Sequence, residues 1–263
     1  MNKKLVVSVL AVGLVVGFWF TKDLFLKDNQ PLASPEPSLE TTSQFLLKTR
    51  LVEINQIDDK YEIQVKYPEF FNSAYPEAEL IANQLIKSEF QDQISEFKAN
   101  LIEDIIDLPE AKSAFSTDYS EVILTDRLAS IKLDSYQYAA GAAHPNSFYS
   151  VFNYDFEKNR QINLTELFNP DSDFLPVISE ITFQDLKSQL GETDPFVEGT
   201  IKEGLLPIKA NFKNFVFDKD EITFLFDPYQ LGAYAIGPRS VKINYDQLKD
   251  LMDKSELLSL INK

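Results

Sequence analysis

The sequence predicts an α+β fold: a largely antiparallel sheet with a long amphipathic helix and a second, shorter one, set behind an N-terminal transmembrane helix. Three observations carry this expectation. Residues 5–21 hold no charge and are mostly apolar. Beyond residue 45, short runs alternate apolar with polar residues, the period of half-buried strands. Two stretches, 77–108 and 174–190, repeat their apolar residues at helical spacing, without the regular strand–helix alternation of a parallel sheet.

In chain order, residues 1–4 read as a cytosolic stub and 5–21 as a signal-anchor. Its 17 residues make about 25 Å of helix, near the short end of what spans a bilayer. Lys4 and Lys22 can snorkel, and Trp19 suits the membrane interface. Lys3, Lys4 and the α-amino group keep this end in the cytosol, which places the remaining chain outside as a single-pass plasma-membrane protein. The alternative is a cleaved secretory signal with Val15 and Gly17 at the cleavage site, although no A-x-A motif ends the run. Gly13 and Gly17 form a small-xxx-small step suited to pairing of spans; the oligomeric state stays open. Residues 22–44, with Pro31, Pro35 and Pro37, read as a linker.

The folded part opens with strands at 47–55 and 60–67 around a turn at Asp58 and Asp59, the second ended by Pro68. Pro76 suits a first helical turn. The helix over 77–108 carries a stripe of Ile81, Leu85, Phe90, Ile94, Phe97, Leu101, Ile105 and Leu108, expected to pack on the sheet, and Pro109 stops it. A polar stretch at 113–120 precedes strands at 121–125 and 128–138, a small-residue turn at 139–146, and a strand at 148–156 whose two apolar faces suggest a central place. Asn163 caps a short helix over 163–168, and Gly191 ends the second amphipathic helix, 174–190. A hairpin of 212–217 and 221–226, a last strand at 240–245 and short helices at 246–252 and 256–261 complete the chain.

Composition excludes more chemistry than it supplies. There is no Cys, which rules out disulfides, thiolate metal sites and thiol nucleophiles, and one His, which rules out centres built on two imidazoles. The net charge is −16, and from residue 23 onward 22 basic residues face all 41 acidic ones, a balance of −19. Such a surface repels phosphate backbones, so nucleic-acid binding is not expected. The G-x-S-x-G, P-loop, G-x-G-x-x-G and H-E-x-x-H motifs are absent. No cofactor or metal site is expected. His144, the lone histidine, follows the small-residue turn; it reads first as a structural residue fixing that turn, then as a ligand contact.

At this turn the sequence resembles a known family. Residues 136–146, YQYAAGAAHPN, are similar to the Y-x-Y-x-x-G-G-A-H-P segment of the RsiV-like extracytoplasmic domains, a segment also found in the accessory region of PdaC-type peptidoglycan deacetylases. FNYD at 152–155, INLTELF at 162–168, NFVF at 214–217 and ITFLFDPYQLGAYAIGP at 222–238 follow in the family's order. The second glycine of the turn is Ala142 here, so that position should not need a positive φ. The resemblance implies a PdaC-like accessory region at 45–148, an RsiV-like region at 149–248 and a terminal helix at 249–263. The deacetylase domain's metal-binding histidines have no counterparts here, and four residues before the span are too few to hold a sigma factor, so the resemblance extends to the outer module alone.

The functional expectation is a membrane-anchored, extracytoplasmic, non-catalytic module that binds a cell-envelope component, either peptidoglycan glycan or a lysozyme-like protein. His144, Asn146, Tyr229 and Tyr234 are the candidate ligand-binding residues, with no catalytic residue assigned. The alternative is a carboxylate-dependent envelope hydrolase, which needs two acidic side chains facing each other across a cleft.

Overall fold

The computed structural model describes residues 47–101, 112–252 and 255–261. The expected stub, anchor and linker lie outside the described residues, as do residues 102–108 of the long helix and Pro109. No described helix is long and apolar enough to cross a membrane. Residues Gln44–Lys263 form one compact unit.

β1 (Leu47–Ile57) and β2 (Tyr61–Asn72) make the expected antiparallel hairpin. At its turn the Asp58 N–H donates to the Tyr61 carbonyl at 2.9 Å, and the Asp58 carboxylate accepts from the Lys60 N–H at 3.3 Å. Pro68 does not end β2, as its missing donor suggested; the strand runs on to Asn72 with Pro68 opposite Leu51. Pairing of β2 with β3 (Ser113–Leu124) stops at Val65, so beyond it one side of β2 needs no donor and proline is tolerated.

α1 (Pro76–Ala99) is the parallel crossover between β2 and β3. It ends at Ala99 instead of reaching 108. The Asn100 N–H bonds the Glu96 carbonyl and the Leu101 N–H turns back to Lys98, closing the last turn. The buried row is Ala78, Ala82, Ile86, Phe90, Ile94 and Phe97. Ile81 and Leu85 lie off it, and Leu85 is exposed. The two alanines explain the shift: small side chains let the helix sit close to the sheet, and the i+4 row that contains them takes the core. Phe90 stacks on Tyr67 with ring centroids 5.0 Å apart.

β3, β4 (Leu128–Tyr138), β5 (Asn146–Asp155) and the two-residue β6 (Arg160–Gln161) complete a sheet of order β1-β2-β3-β4-β5-β6, antiparallel except for β2–β3. The polar stretch at 113–120 is therefore strand. Its inward hydroxyls are satisfied: Thr117 bonds Ser135 at 3.2 Å, and the Ser113 hydroxyl accepts from the Ala140 N–H at 2.9 Å. β5 is not central either, since β6 covers only Tyr154 and Asp155. It is apolar on both faces because two layers sandwich it. Phe152 and Tyr154 join the core beneath α1, while a second antiparallel sheet, β7 (Phe215–Phe217), β8 (Glu221–Phe226) and β9 (Arg239–Asn244), packs β7 against β4 and β5. A buried polar clamp joins the sheets. Ser130 donates to the Asn153 side chain at 2.6 Å, Asn153 donates to the Phe215 carbonyl at 2.8 Å, and the Phe217 N–H donates to Ser130 at 3.1 Å.

The second core gathers Leu167, Ile178, Leu186, Phe212, Phe224 and Ile243. Asn163 makes the expected cap with Glu166, although the turn Leu164–Leu167 is 3₁₀, not α. α2 (Phe174–Leu190) ends at Gly191, φ 72°, as its sequence indicates. α3 (Pro195–Gly204) was not anticipated; Asp194 caps it by accepting the Phe196 and Val197 N–H groups. The last helices are α4 (Lys249–Met252) and α5 (Glu256–Ile261). The result is a mixed α+β fold dominated by a large, mainly antiparallel sheet.

Candidate functional site

Three of the four candidate residues meet at the head of β5. The turn before it needs one positive φ, at Gly141 (84°); Ala142 is not in that region, in keeping with its Cβ. The His144 Nδ1 lies 2.9 Å from the Pro145 carbonyl oxygen, so it carries the proton; the bare Nε2 then accepts from the Tyr229 hydroxyl at 3.1 Å. The Tyr234 ring stacks on the imidazole, centroids 3.9 Å apart and planes 19° from parallel, and its hydroxyl donates to the same Pro145 carbonyl at 2.9 Å. Tyr229 and Tyr234 lie 5.5 Å apart. His144 is exposed and Tyr229 is 57% exposed, so this cluster faces solvent. Asn146 opens β5 opposite Gln137 and is exposed, but no contact joins its side chain to the three rings.

The segment carrying the two tyrosines is held from several sides. Tyr229 has φ 70°, a conformation a bulky residue adopts only when its surroundings impose it. Just before it, Asp227 accepts the Tyr149 N–H at 2.7 Å, and Asn214 donates to the Tyr149 carbonyl at 3.2 Å and to Asp227 at 3.4 Å. Just after it, Gln230 donates to the Asn211 carbonyl at 2.9 Å, and Thr200 of α3 donates to the Leu231 carbonyl at 3.2 Å. Gly204, at the end of α3, touches this segment so closely that a Cβ there would meet the Gln230 carbonyl oxygen at 2.0 Å. Asp227, Asn214, Thr200 and Gly204 were not picked out from sequence; the Asp227-Pro228 step, a turn signal, was the one local hint.

Burial pushes the Asp227 carboxyl above its ordinary range, against the pull of the Tyr149 N–H and the Lys213 charge. Burial also raises the Tyr149 phenol, with Asp134 and Asp227 adding to it. The cluster thus offers a stacked aromatic face with an imidazole and two phenols at its rim.

Residues 54–147 match the family model described as Deacetylase PdaC, and residues 165–246 the one described as Protein of unknown function (DUF3298). The two models match successive parts of the chain and, with the relatives that follow, support a PdaC-like/DUF3298 family. The chain is 30% identical over 152 residues to the peptidoglycan-N-acetylmuramic acid deacetylase PdaC of Bacillus subtilis, covering 58% of this chain and 32% of that protein. It therefore spans about a third of PdaC. It is 27% identical to the immunogenic protein MPT64 of Mycobacterium tuberculosis over 73% of this chain and 78% of that one, and 29% identical to the esterase Rv3036c of the same organism over 50% and 55%. The fold is similar to that of a DUF3298 protein from Bacteroides fragilis (TM-score 0.61, 16% identity, 81% of this chain and 96% of that one). A second, from Pseudomonas aeruginosa, has TM-score 0.57 and 14% identity over the same shares.

Proposed function

We propose that this chain is a cell-envelope module, tethered through residues 5–21 with its folded part outside the plasma membrane, that binds peptidoglycan glycan without transforming it. The observation that carries the reading is the exposed stack of His144 and Tyr234 with Tyr229 bonded to its edge. Aromatic faces held in place at the surface match the apolar faces of sugar rings, and the phenol and imidazole edges match their hydroxyls. Every polar atom of the stack that is tied down is tied to this chain's own backbone or to another member, so the rings are pre-arranged before a ligand arrives. A lysozyme-like protein is the other candidate partner, and the acidic surface would steer a basic one.

The test is co-sedimentation of the full chain with insoluble peptidoglycan at low and high salt, beside capture of a basic muramidase. Retention on the glycan that survives salt supports the reading. Salt-sensitive capture of the muramidase alone moves the partner to the protein class, and retention of neither refutes both.

A second reading, an envelope hydrolase or deacetylase, draws on the names of PdaC and the esterase and on Asp227, a carboxyl raised by burial close to the cluster. Against it, both Asp227 oxygens already accept, from the Tyr149 N–H and from Asn214. Release of acetate from acetylated glycan by the purified chain, lost in Asp227→Asn, would decide for it.

A further inference from the structure

The outer edge of β5 contains one position that the fold leaves open. β4 takes the inner edge along residues 146–155. On the outer edge, every second residue presents its N–H and C=O outward. Tyr149 has both groups bound, by Asp227 and Asn214. The Asn153 carbonyl receives the Ile162 N–H at 2.9 Å, and β6 pairs beyond it. Val151 lies between them and points the same way, and neither its N–H nor its C=O meets a hydrogen-bonding partner among the described residues.

That gap opens into a cleft of about 350 Å³. Val151, Gln161, Asn163, Thr165, Lys209 and Lys213 help to line it. Lys209 and Lys213 bracket the 3₁₀ turn Lys209–Phe212, and neither enters a salt bridge among the described residues. Two ammonium groups without a described carboxylate within salt-bridge reach thus line one cleft, beside an open backbone donor and acceptor. Asp227 feels the Lys213 charge, but its two oxygens accept from the Tyr149 N–H and from Asn214, and it does not line the cleft.

We propose that this cleft binds the free C-terminus of a short peptide. The terminal residue would extend the sheet by one residue-length. Its amide N–H donates to the Val151 carbonyl, and one carboxylate oxygen accepts from the Val151 N–H. The remaining carboxylate lone pairs face Lys209 and Lys213. Gln161, Asn163 and Thr165 supply further polar contacts for the preceding peptide group. Both a cell-wall stem peptide, ending in D-alanine, and an ordinary protein C-terminus carry this chemistry. The site is separate from the aromatic cluster and does not depend on the glycan reading.

The test uses fluorescein-labelled Gly-L-Ala-L-Ala, its Gly-D-Ala-D-Ala counterpart, and both with amidated C-termini, titrated with the full chain in detergent and followed by anisotropy. The expected result is binding of a free acid that weakens about fivefold on amidation and about as much in the Lys209→Gln, Lys213→Gln double variant. Tyr234→Ala should leave it unchanged, which separates this site from the glycan surface. Tighter binding of the D form names the stem peptide as the source, and tighter binding of the L form a protein terminus; either supports the site. Equal binding of acid and amide, no binding of any probe, or a double variant that melts and binds like the parent would overturn it.

Discussion

Asp155 and Asp227 show how differently the fold treats two carboxylates. Asp155, with its side chain 3% exposed, pairs in a fork with Arg127 at 3.0 and 2.8 Å and accepts the Lys158 N–H at 3.0 Å. Burial alone would raise it, but the guanidinium and the Lys158 contacts outweigh burial and hold it below the ordinary range. Its stabilising contribution is therefore present above the unfolded carboxylate value of about 3.9 and is lost as pH falls through the lower folded value. Arg127→Met strands that charge, so denaturant melts at neutral pH should show a loss of about 3–5 kcal/mol, with acid unfolding beginning at higher pH than in the parent. Asp227 is the opposite case, since burial raises it. Its ionised form weighs against the folded state at neutral pH, and that burden fades as pH falls through the folded value. Asp227→Asn keeps an acceptor for Tyr149 and should melt at or above the parent temperature at neutral pH, the difference closing on acidification. Asp227→Ala leaves the Tyr149 N–H unpaired and should cost about 1–3 kcal/mol.

At the scale of elements, α3 decides whether the tyrosines are presented. Its Thr200 and Gly204 touch the segment that carries Tyr229, and a Cβ at Gly204 has no room against the Gln230 backbone. Gly204→Ala should lower the melting temperature and weaken glycan retention together, whereas Gly199→Ala, in open space on the same helix, should do neither. α3 was hard to read because two glycines and few apolar residues mask its period, although Asp194-Pro195 is a proper helix start. The hairpin turn at Asp58, the Asn163 cap and the Gly191 stop were legible because each is set by a few neighbouring residues. Three elements were misjudged for reasons that lie in tertiary contacts. The row of α1 was set by how closely Ala78 and Ala82 approach the sheet, β2 passed through Pro68 because its pairing with β3 stops at Val65, and the hydroxyls of 113–120 found buried partners across the sheet. The candidate site was legible in part: His144, Tyr229 and Tyr234 converge, while the groups that hold them come from α3, β5 and the turn before β7, far off in sequence.

For the whole molecule, charge and topology set what can approach. A balance of −19 beyond residue 22 attracts cations from a distance, an effect that fades within about 10 Å at 0.1 M salt. Stacking against sugar is short-ranged and resists salt, so the two candidate partners separate by salt dependence alone. The two candidate sites meet the same strand, one at the turn just before β5 and the other at Val151 within it. The central claim is that the His144, Tyr229 and Tyr234 surface binds envelope glycan. Its most direct measurement is the equilibrium retention of the full chain on purified peptidoglycan, parent against Tyr229→Ala, Tyr234→Ala, with both shown to be folded by their melts. The account predicts salt-resistant retention by the parent and a loss of about tenfold in the variant; equal retention of the two, or none by the parent, would contradict it.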